Sequence, residues 1–309
     1  MKEALGTACF ITLYDQGNEK IYNDIFSRIH EIENLMSVNI PSSDVSRINA
    51  AAGIEAVHVH KDVFYVIENA KYFAQLSDGA FDPTVGPLVS LWGFDSVSTY
   101  VPSGEEIEKA LPLVNWRNIE LDKTLNTVYL NQKGMALDLG AIAKGYAADE
   151  VVKIAKQAGI KRALIDLGGN IFVIGEKIDK TQWNVGIQNP YTNRGDAVGF
   201  IQTKERTIVT SGIYERYFEE DGKTFHHIFD PKLGFPVQNG LVSVTIITDN
   251  SMTADALSTA VFVLGYDKGL SLIETLPDTD AVFVFNDNSI RTTAGVKLKL
   301  LNTSFYIPQ

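Results

Sequence analysis

The order in which strand-like and helix-like periods follow one another limits the fold of this chain more than any other feature. Residues 241–248, LVSVTIIT, are an unbroken run of β-formers, and residues 253–260, TADALSTA, open a helix that stops at Gly265. An apolar alternation marks an opening strand over 5–14, closed by a turn at 15–17. Ile25, Ile29, Ile32 and Met36 repeat at a helical period over 22–36. So do Val63, Ile67, Ala70 and Ala74 over 61–76, where Ser77-Asp78-Gly79 supplies a stop. Ser103-Gly104-Glu105-Glu106 begins a further helix with a capping pattern, and 144–158 is a strong helix ending at Gly159. Residues 163–167 form an apolar strand that runs into Gly168-Gly169-Asn170. Shorter strands are expected around Ile119 and Val128, over 135–139, 183–187, 197–201, 208–209, 281–285 and 289–293, with a helix near 268–276. The stretch 37–54 reads as polar and irregular, and 82–93 as a loop that coils into a short helix through Leu91. Strands and helices are mixed without the βα alternation of a doubly wound fold, which predicts an α+β protein of mixed sheets with packed helices. It is read as a single domain over 1–309, with two interleaved α/β subdomains as the alternative subdivision.

Charge narrows the partners. The formal charge is −11, and no Lys/Arg cluster interrupts the acidic surface, which argues against nucleic acid and anionic membranes. A chain so acidic that handles a phosphorylated ligand needs a cation to offset like-charge repulsion. Cys9 is the single cysteine and lies in the alternating run Ala8-Cys9-Phe10-Ile11-Thr12-Leu13, so it reads as a buried thiol. Leu5-Gly6-Thr7-Ala8-Cys9 has a faint likeness to a lipoprotein cleavage site, but no apolar segment precedes it. No run of 18 or more apolar residues predicts a transmembrane segment.

Chemistry-bearing residues fall in three segments rich in Gly, Asp and Pro, at 79–94, 138–146 and 211–236, and in the helix after 248. Asp255 and Thr259 stand four residues apart and therefore share a helix face. Two hard oxygens on a rigid element suit Mg²⁺; the alternative is a solvated acid in the first helical turn, favoured by the dipole, beside a threonine that merely packs. Asp138 to Tyr146, DLGAIAKGY, is a strand-to-helix junction whose free amides and Lys144 suit an anion, though it matches neither a Walker motif nor a dinucleotide fingerprint. A tight turn with a surface lysine explains it equally. Gly168-Gly169 fits a bulge or a close backbone contact as well as a ligand. His226-His227 holds two of only five histidines; adjacent residues on a strand point apart, so at most one faces a site, either as a hydrogen-bonded structural histidine or as a neutral imidazole able to act as general base. No second His/Cys set has zinc spacing.

Together and in order, these segments resemble the ApbE family of flavin transferases. The likeness is carried by Gly79-Ala80-Phe81-Asp82-Pro83-Thr84-Val85-Gly86-Pro87-Leu88, Leu91-Trp92-Gly93-Phe94, and Leu137-Asp138-Leu139-Gly140-Ala141-Ile142-Ala143-Lys144-Gly145-Tyr146. It continues through Asp166-Leu167-Gly168-Gly169-Asn170, Thr210-Ser211-Gly212-Ile213-Tyr214-Glu215-Arg216, His227-Ile228-Phe229-Asp230-Pro231-Lys232-Leu233-Gly234 and Ala254-Asp255-Ala256-Leu257-Ser258-Thr259. The resemblance implies a T-fold-like architecture and an enzyme that binds FAD, cleaves its pyrophosphate with Mg²⁺, transfers FMN to a threonine of an acceptor protein and releases AMP. It implies Asp255, Thr259, the Ala141 carbonyl and Ser258 as metal ligands and His227 as the base, with Asp255 also catalytic. Ala80, Phe81, Asp82, Asp138 and Lys144 would line the FAD site, with Leu5 and Ile228 nearby.

One departure stands out. The family stretch after the first helix usually carries an aromatic two residues past a serine; here Ser37-Val38-Asn39 puts Asn39 there. Asn39 cannot stack on a flavin, so hydrolysis of FAD to FMN and AMP is expected beside transfer. A flavin-binding or storage protein without turnover is the alternative. The resemblance further implies acceptors among membrane redox-pump subunits and a periplasmic protein, lipid-anchored to the inner membrane.

Overall fold

The computed structural model describes residues 1–94, 99–192 and 195–308. In chain order the elements are β1 (Lys2–Ala4), β2 (Thr7–Leu13), α1 (Glu19–Met36), α2 (Asp44–Ala50), β3 (Val57–His58), α3 (Lys61–Leu76), α4 (Gly86–Leu91) and α5 (Gly104–Ala110). There follow β4 (Ile119–Asp122), β5 (Thr127–Leu130), α6 (Ala143–Gln157), β6 (Ala163–Leu167), β7 (Asn170–Ile174), β8 (Trp183–Gln188), β9 (Ala197–Thr203) and β10 (Arg206–Gly212). The chain closes with β11 (Tyr217–Glu220), β12 (Lys223–His226), β13 (Leu241–Thr248), α7 (Ser251–Glu274), β14 (Asp280–Phe285), β15 (Ile290–Thr292) and β16 (Leu298–Leu300). The fold is α+β. Its contacts divide the chain into two compact units, one of Met1–His30, Lys144–Tyr214 and Asn239–Gln309, the other of Glu31–Ala143 and Glu215–Gln238.

The first unit is built on an eight-stranded sheet of order β1-β2-β6-β7-β10-β13-β14-β15. Every neighbouring pair is antiparallel. All eight residues of β13 are buried, because both faces of that strand are covered. On one face Ile208, Ile247, Val282 and Val284 join Val185, Ile187, Val198 and Ile201 of a second sheet, ordered β16-β9-β8. The other face receives α7, which packs on β13, β10 and β7. α7 is long and apolar enough by composition to cross a membrane, yet half of its most apolar stretch is buried within the protein. The helix is interrupted at Gly265 (φ 76°), where Asn239 Nδ2 donates to the Phe262 carbonyl that the break releases (2.7 Å).

The second unit carries the three-stranded sheet β3-β5-β4, the hairpin β11–β12 and helices α2–α5. Its aromatic centre is Trp92, fully buried, with Phe225 and Phe229 at 5.5 and 5.8 Å between ring centroids. The indole N–H of Trp92 donates to the Gly234 carbonyl (3.0 Å).

Several local expectations need correction. Residues 5–14 are not one strand: Leu5 (φ 54°) and Gly6 (φ 67°) make a turn, and β1 folds back on β2 with Ala4 opposite Thr7. The stretch 37–54 contains α2, whose N-cap Ser43 accepts the Ser46 N–H; its short apolar period was hidden among serines. Residues 135–139 form no strand among the described residues. Only Ala136 bridges Val85, while Leu137 is tied at both backbone ends to the Asn49 side chain.

Candidate active site

In the first unit the site begins where α6 starts. The first amides of a helix have no intrahelical acceptor. Gly145, in the first turn of α6, sends its N–H to Asp255 Oδ2 on α7 (2.9 Å), and Lys144 Nζ lies 3.5 Å from Asp255 Oδ1. Asp255 is 4% exposed, so a buried carboxylate is held by a helix amide, the positive helix end and an ammonium. Gly145 permits this approach: a Cβ there would stand 2.3 Å from the Ser251 carbonyl oxygen and 2.7 Å from Met252 Cα. Asp149, one turn further along α6, accepts the N–H groups of Ser251 and Met252 (2.8 and 2.9 Å) and the Asn250 amide (2.7 Å), which fixes the first turn of α7. Burial pushes the Asp149 carboxyl up to about 6, against the pull of those amides.

Hydroxyls continue the site along α7. Ser258 Oγ donates to the Asp255 carbonyl (2.8 Å) and shares a bond with Ser211 Oγ of β10 (2.7 Å); Ser211 Oγ also lies 3.3 Å from Thr259 Oγ1. Ser258 is fully buried, whereas Thr259 is half-buried. Of the residues singled out by sequence, Lys144, Asp255, Ser258 and Thr259 are thus brought together. Leu5 sits in the β1–β2 turn of the same unit, next to Thr7, on which the Gly168 backbone packs closely. Gly168 and Gly169 both have positive φ (66° and 93°) and form the two-residue turn between β6 and β7. Sequence reasoning missed Ser211, Gly145, Asp149 and Asn170 as site residues. Ser211, Gly145 and Asn170 lie in the family-like motifs but needed strand register and helix packing to be placed. Asn170 is 1% exposed, and neither its Oδ1 nor its Nδ2 has a hydrogen-bond partner among the described residues. A buried group left so costs about 1–3 kcal/mol.

In the second unit two segments lie side by side: the Asp138 N–H donates to the Pro83 carbonyl (2.9 Å). Asp82 is buried, and its carboxylate accepts the Thr84 N–H (2.8 Å), the Thr84 hydroxyl (2.6 Å) and the Trp116 N–H (3.1 Å). Burial raises its pKa and these three donors oppose the rise. Ala80 and Phe81 are buried, Phe81 N–H donating to Ser77 Oγ. Asp138 Oδ1 accepts the Gly140 N–H (2.7 Å) in an Asx turn that leads to Ala141, which is half-buried just before α6. Asn39 is exposed in the turn after α1.

The two histidines separate as adjacent strand-end residues should. His226 is buried, with Nε2 on the Val237 carbonyl (2.8 Å) and Nδ1 accepting the Ile228 N–H (3.3 Å); burial lowers its pKa. Ile228 is buried in turn, its carbonyl accepting the Val237 N–H. His227 is half-buried, and its Nδ1 contacts the Arg216 carbonyl (3.1 Å). A carbonyl only accepts, so Nδ1 carries the proton in this contact, and the neutral form of the ring would hold its lone pair on Nε2.

The donor set of the first unit suits a hard divalent cation. Asp255 and Thr259 offer oxygen alone, and no group of three or more His, Cys, Asp or Glu converges among the described residues. Mg²⁺ takes such sites, completing its shell with water and substrate phosphates. The anchored carboxylate, the helix amide, the lysine and the hydroxyls are thus gathered at one place on an antiparallel α+β scaffold. The chain belongs to the ApbE family, whose model matches residues 5–283. It is 37% identical to an FAD:protein FMN transferase of Treponema pallidum, covering 98% of this chain and 89% of that protein. It is 39% identical to one of Klebsiella pneumoniae over 96% and 91%. The crystal structure of the ApbE protein of Thermotoga maritima superposes with a TM-score of 0.87 at 36% identity, covering 95% of this chain and 96% of that one. A variant of the flavin transferase ApbE of Vibrio cholerae in which a histidine is replaced by glycine gives 0.83 at 29% identity, covering 94% and 95%.

Proposed function

We propose that this chain is an FAD:protein FMN transferase that cleaves FAD with Mg²⁺ and attaches FMN to a threonine hydroxyl of an acceptor protein. The observation that carries the reading is the buried Asp255 carboxylate, fixed by the Gly145 amide and Lys144 beside the Thr259 hydroxyl. The names of relatives similar over nearly the whole chain support it. Asp255 and Thr259 are the proposed metal ligands, with Ser258 and the Ala141 carbonyl assigned by the family resemblance. A bound cation supplies charge neutralisation at non-bridging phosphate oxygens. Lys144 adds positive charge, and the anchoring of Asp255 removes the need to reorganise it. In the transfer the threonine Oγ–P bond forms, the P–O bond to AMP breaks, and the threonine proton passes to His227 Nε2. The proton already on Nδ1, held by the Arg216 carbonyl, keeps the ring in that tautomer.

The deciding experiment is mass spectrometry of an acceptor subunit of a membrane redox pump after incubation with FAD, Mg²⁺ and this protein. Added FMN on a threonine supports the assignment, and an unmodified acceptor with intact FAD refutes it. The exposed Asn39, where the family stretch carries an aromatic, favours a second activity, hydrolysis of FAD to FMN and AMP. Release of both products without acceptor tests it. Under the alternative of a storage protein, FAD survives with wild type as well as with Asp255→Ala. By the same resemblance the protein is assigned to the periplasmic face of the inner membrane, which cell fractionation checks.

A further inference from the structure

The Asn170 amide is the strongest feature left without a role, and strand register fixes what it faces. Thr207 Oγ1 bonds Ser251 Oγ on α7 (2.7 Å), and Ser211 Oγ bonds Ser258 Oγ on the same helix (2.7 Å). Thr207 and Ser211 therefore both point from β10 toward α7, and Val209 between them does so too. Val209 stands opposite Asn170 in the antiparallel register of β10 with β7, and residues directly opposite share a face. The opposite face confirms the parity: Ile171 and Val173 pack with Ile208 in the core shared with β8 and β9. Along α7, Ser251, Asp255 and Ser258 succeed one another at one-turn spacing. With Ser251 above Thr207 and Ser258 above Ser211, the level of Val209 and Asn170 is the level of Asp255. The amide is thus buried on the sheet beneath the anchored carboxylate, with neither end bonded to any described residue. An asparagine held in this way in an otherwise apolar row, with Leu167 on one side and Val209 on the other, is not explained by packing.

Resting on the cation reading of Asp255 and Thr259, we propose that Asn170 is a positioning residue of that site. Its Oδ1 accepts from a water in the shell of the divalent cation and thereby orients the ion against Asp255. Mg²⁺ keeps several waters when protein-bound, and partners of this outer kind typically change metal affinity by about 10–100-fold when removed.

The test uses the full chain without flavin or acceptor and reads Mn²⁺ affinity from the electron paramagnetic resonance of the free ion. Asn170→Leu, close in shape and without polar atoms, is expected to weaken Mn²⁺ binding about tenfold or more. The same variant is expected to unfold at a higher temperature than wild type in EDTA, since an unbonded amide is gone. Asn170→Asp, which keeps the oxygen, should bind Mn²⁺ within threefold of wild type or more tightly. Mn²⁺ affinity of Asn170→Leu within twofold of wild type overturns the proposal; if leucine prevents folding, Asn170→Ala carries the same criterion. Asp255→Ala is the control that separates the two readings. Wild-type affinity in that variant refutes the cation site itself, whereas loss there with none in Asn170→Leu refutes only the role of Asn170.

Discussion

Gly145→Ala sets helix propensity against the approach of two helices. Inside a helix, alanine is favoured over glycine by about 1 kcal/mol, so local reasoning predicts a gain. The tertiary contact predicts a loss. The new Cβ would stand 2.3 Å from the Ser251 carbonyl oxygen, 2.6 Å from its carbon and 2.7 Å from Met252 Cα, all backbone atoms of α7 that no rotamer change can move. An unstrained carbon–oxygen contact is about 3.3 Å, so the start of α6 and the start of α7 must part by about 1 Å. The Gly145 N–H···Asp255 Oδ2 bond, now 2.9 Å, then leaves hydrogen-bond range. Overpacking costs about 1–3 kcal/mol and loss of a hydrogen bond to a charged group about 1.5–3 kcal/mol. Against the propensity gain, a net destabilisation of about 3 kcal/mol remains. At about 2 °C per kcal/mol, the lower end of the range for about 150–250 residues, Tm falls by about 6 °C in calorimetry. Mn²⁺ affinity should fall with it, because Asp255 loses its anchor. A Tm that rises by a few degrees with unchanged Mn²⁺ affinity would refute the close-approach reasoning.

His227→Gln should abolish flavinylation of the acceptor, read by mass spectrometry, while Mg²⁺-dependent FAD binding, read by flavin fluorescence, persists; undiminished transfer sinks the base assignment. Asn39→Tyr should slow acceptor-free release of FMN and AMP several-fold, and an unchanged or faster rate contradicts the stacking account. Asp149 has a folded pKa of about 6 against an ordinary 3.8, so between about pH 4 and 6 the folded state holds a proton that the unfolded state has released. Its contribution to stability therefore declines as pH rises through that window and is flat above it, by about 3 kcal/mol in total at 1.36 kcal/mol per unit. Urea titrations of wild type and Asp149→Asn at several pH values should differ by that slope, and parallel curves would remove the claim.

Much of the fold could be read locally. The periods over 61–76, 163–167 and 241–248 coincide with α3, β6 and β13, because each buries a face that its own residues define. The capping pattern at Ser103 is present as a reciprocal pair with Glu106, since caps are satisfied within one turn. Gly265 marks the break in α7 for the same local reason, a positive φ that favours glycine. The turn at Leu5-Gly6 was not legible: a leucine at φ 54° is imposed by the pairing of β1 with β2, not by its own preference. Nor was α2, whose seven residues are too short to show a period.

By itself, then, the sequence determined the long helices and strands whose own residues define a buried face, that the sheet is not doubly wound, and which acids, hydroxyls and histidines are available for chemistry. Tertiary structure alone decided that Gly145 and Lys144 meet Asp255, that Ser211 reaches Ser258 and Thr259, and that Asn170 lies buried beneath α7. Periodicity is carried by neighbours three or four residues apart. The register of β7 on β10, and the seat of α7 across both, are set by burying two faces of one strand at once, and no local stretch of chain encodes that.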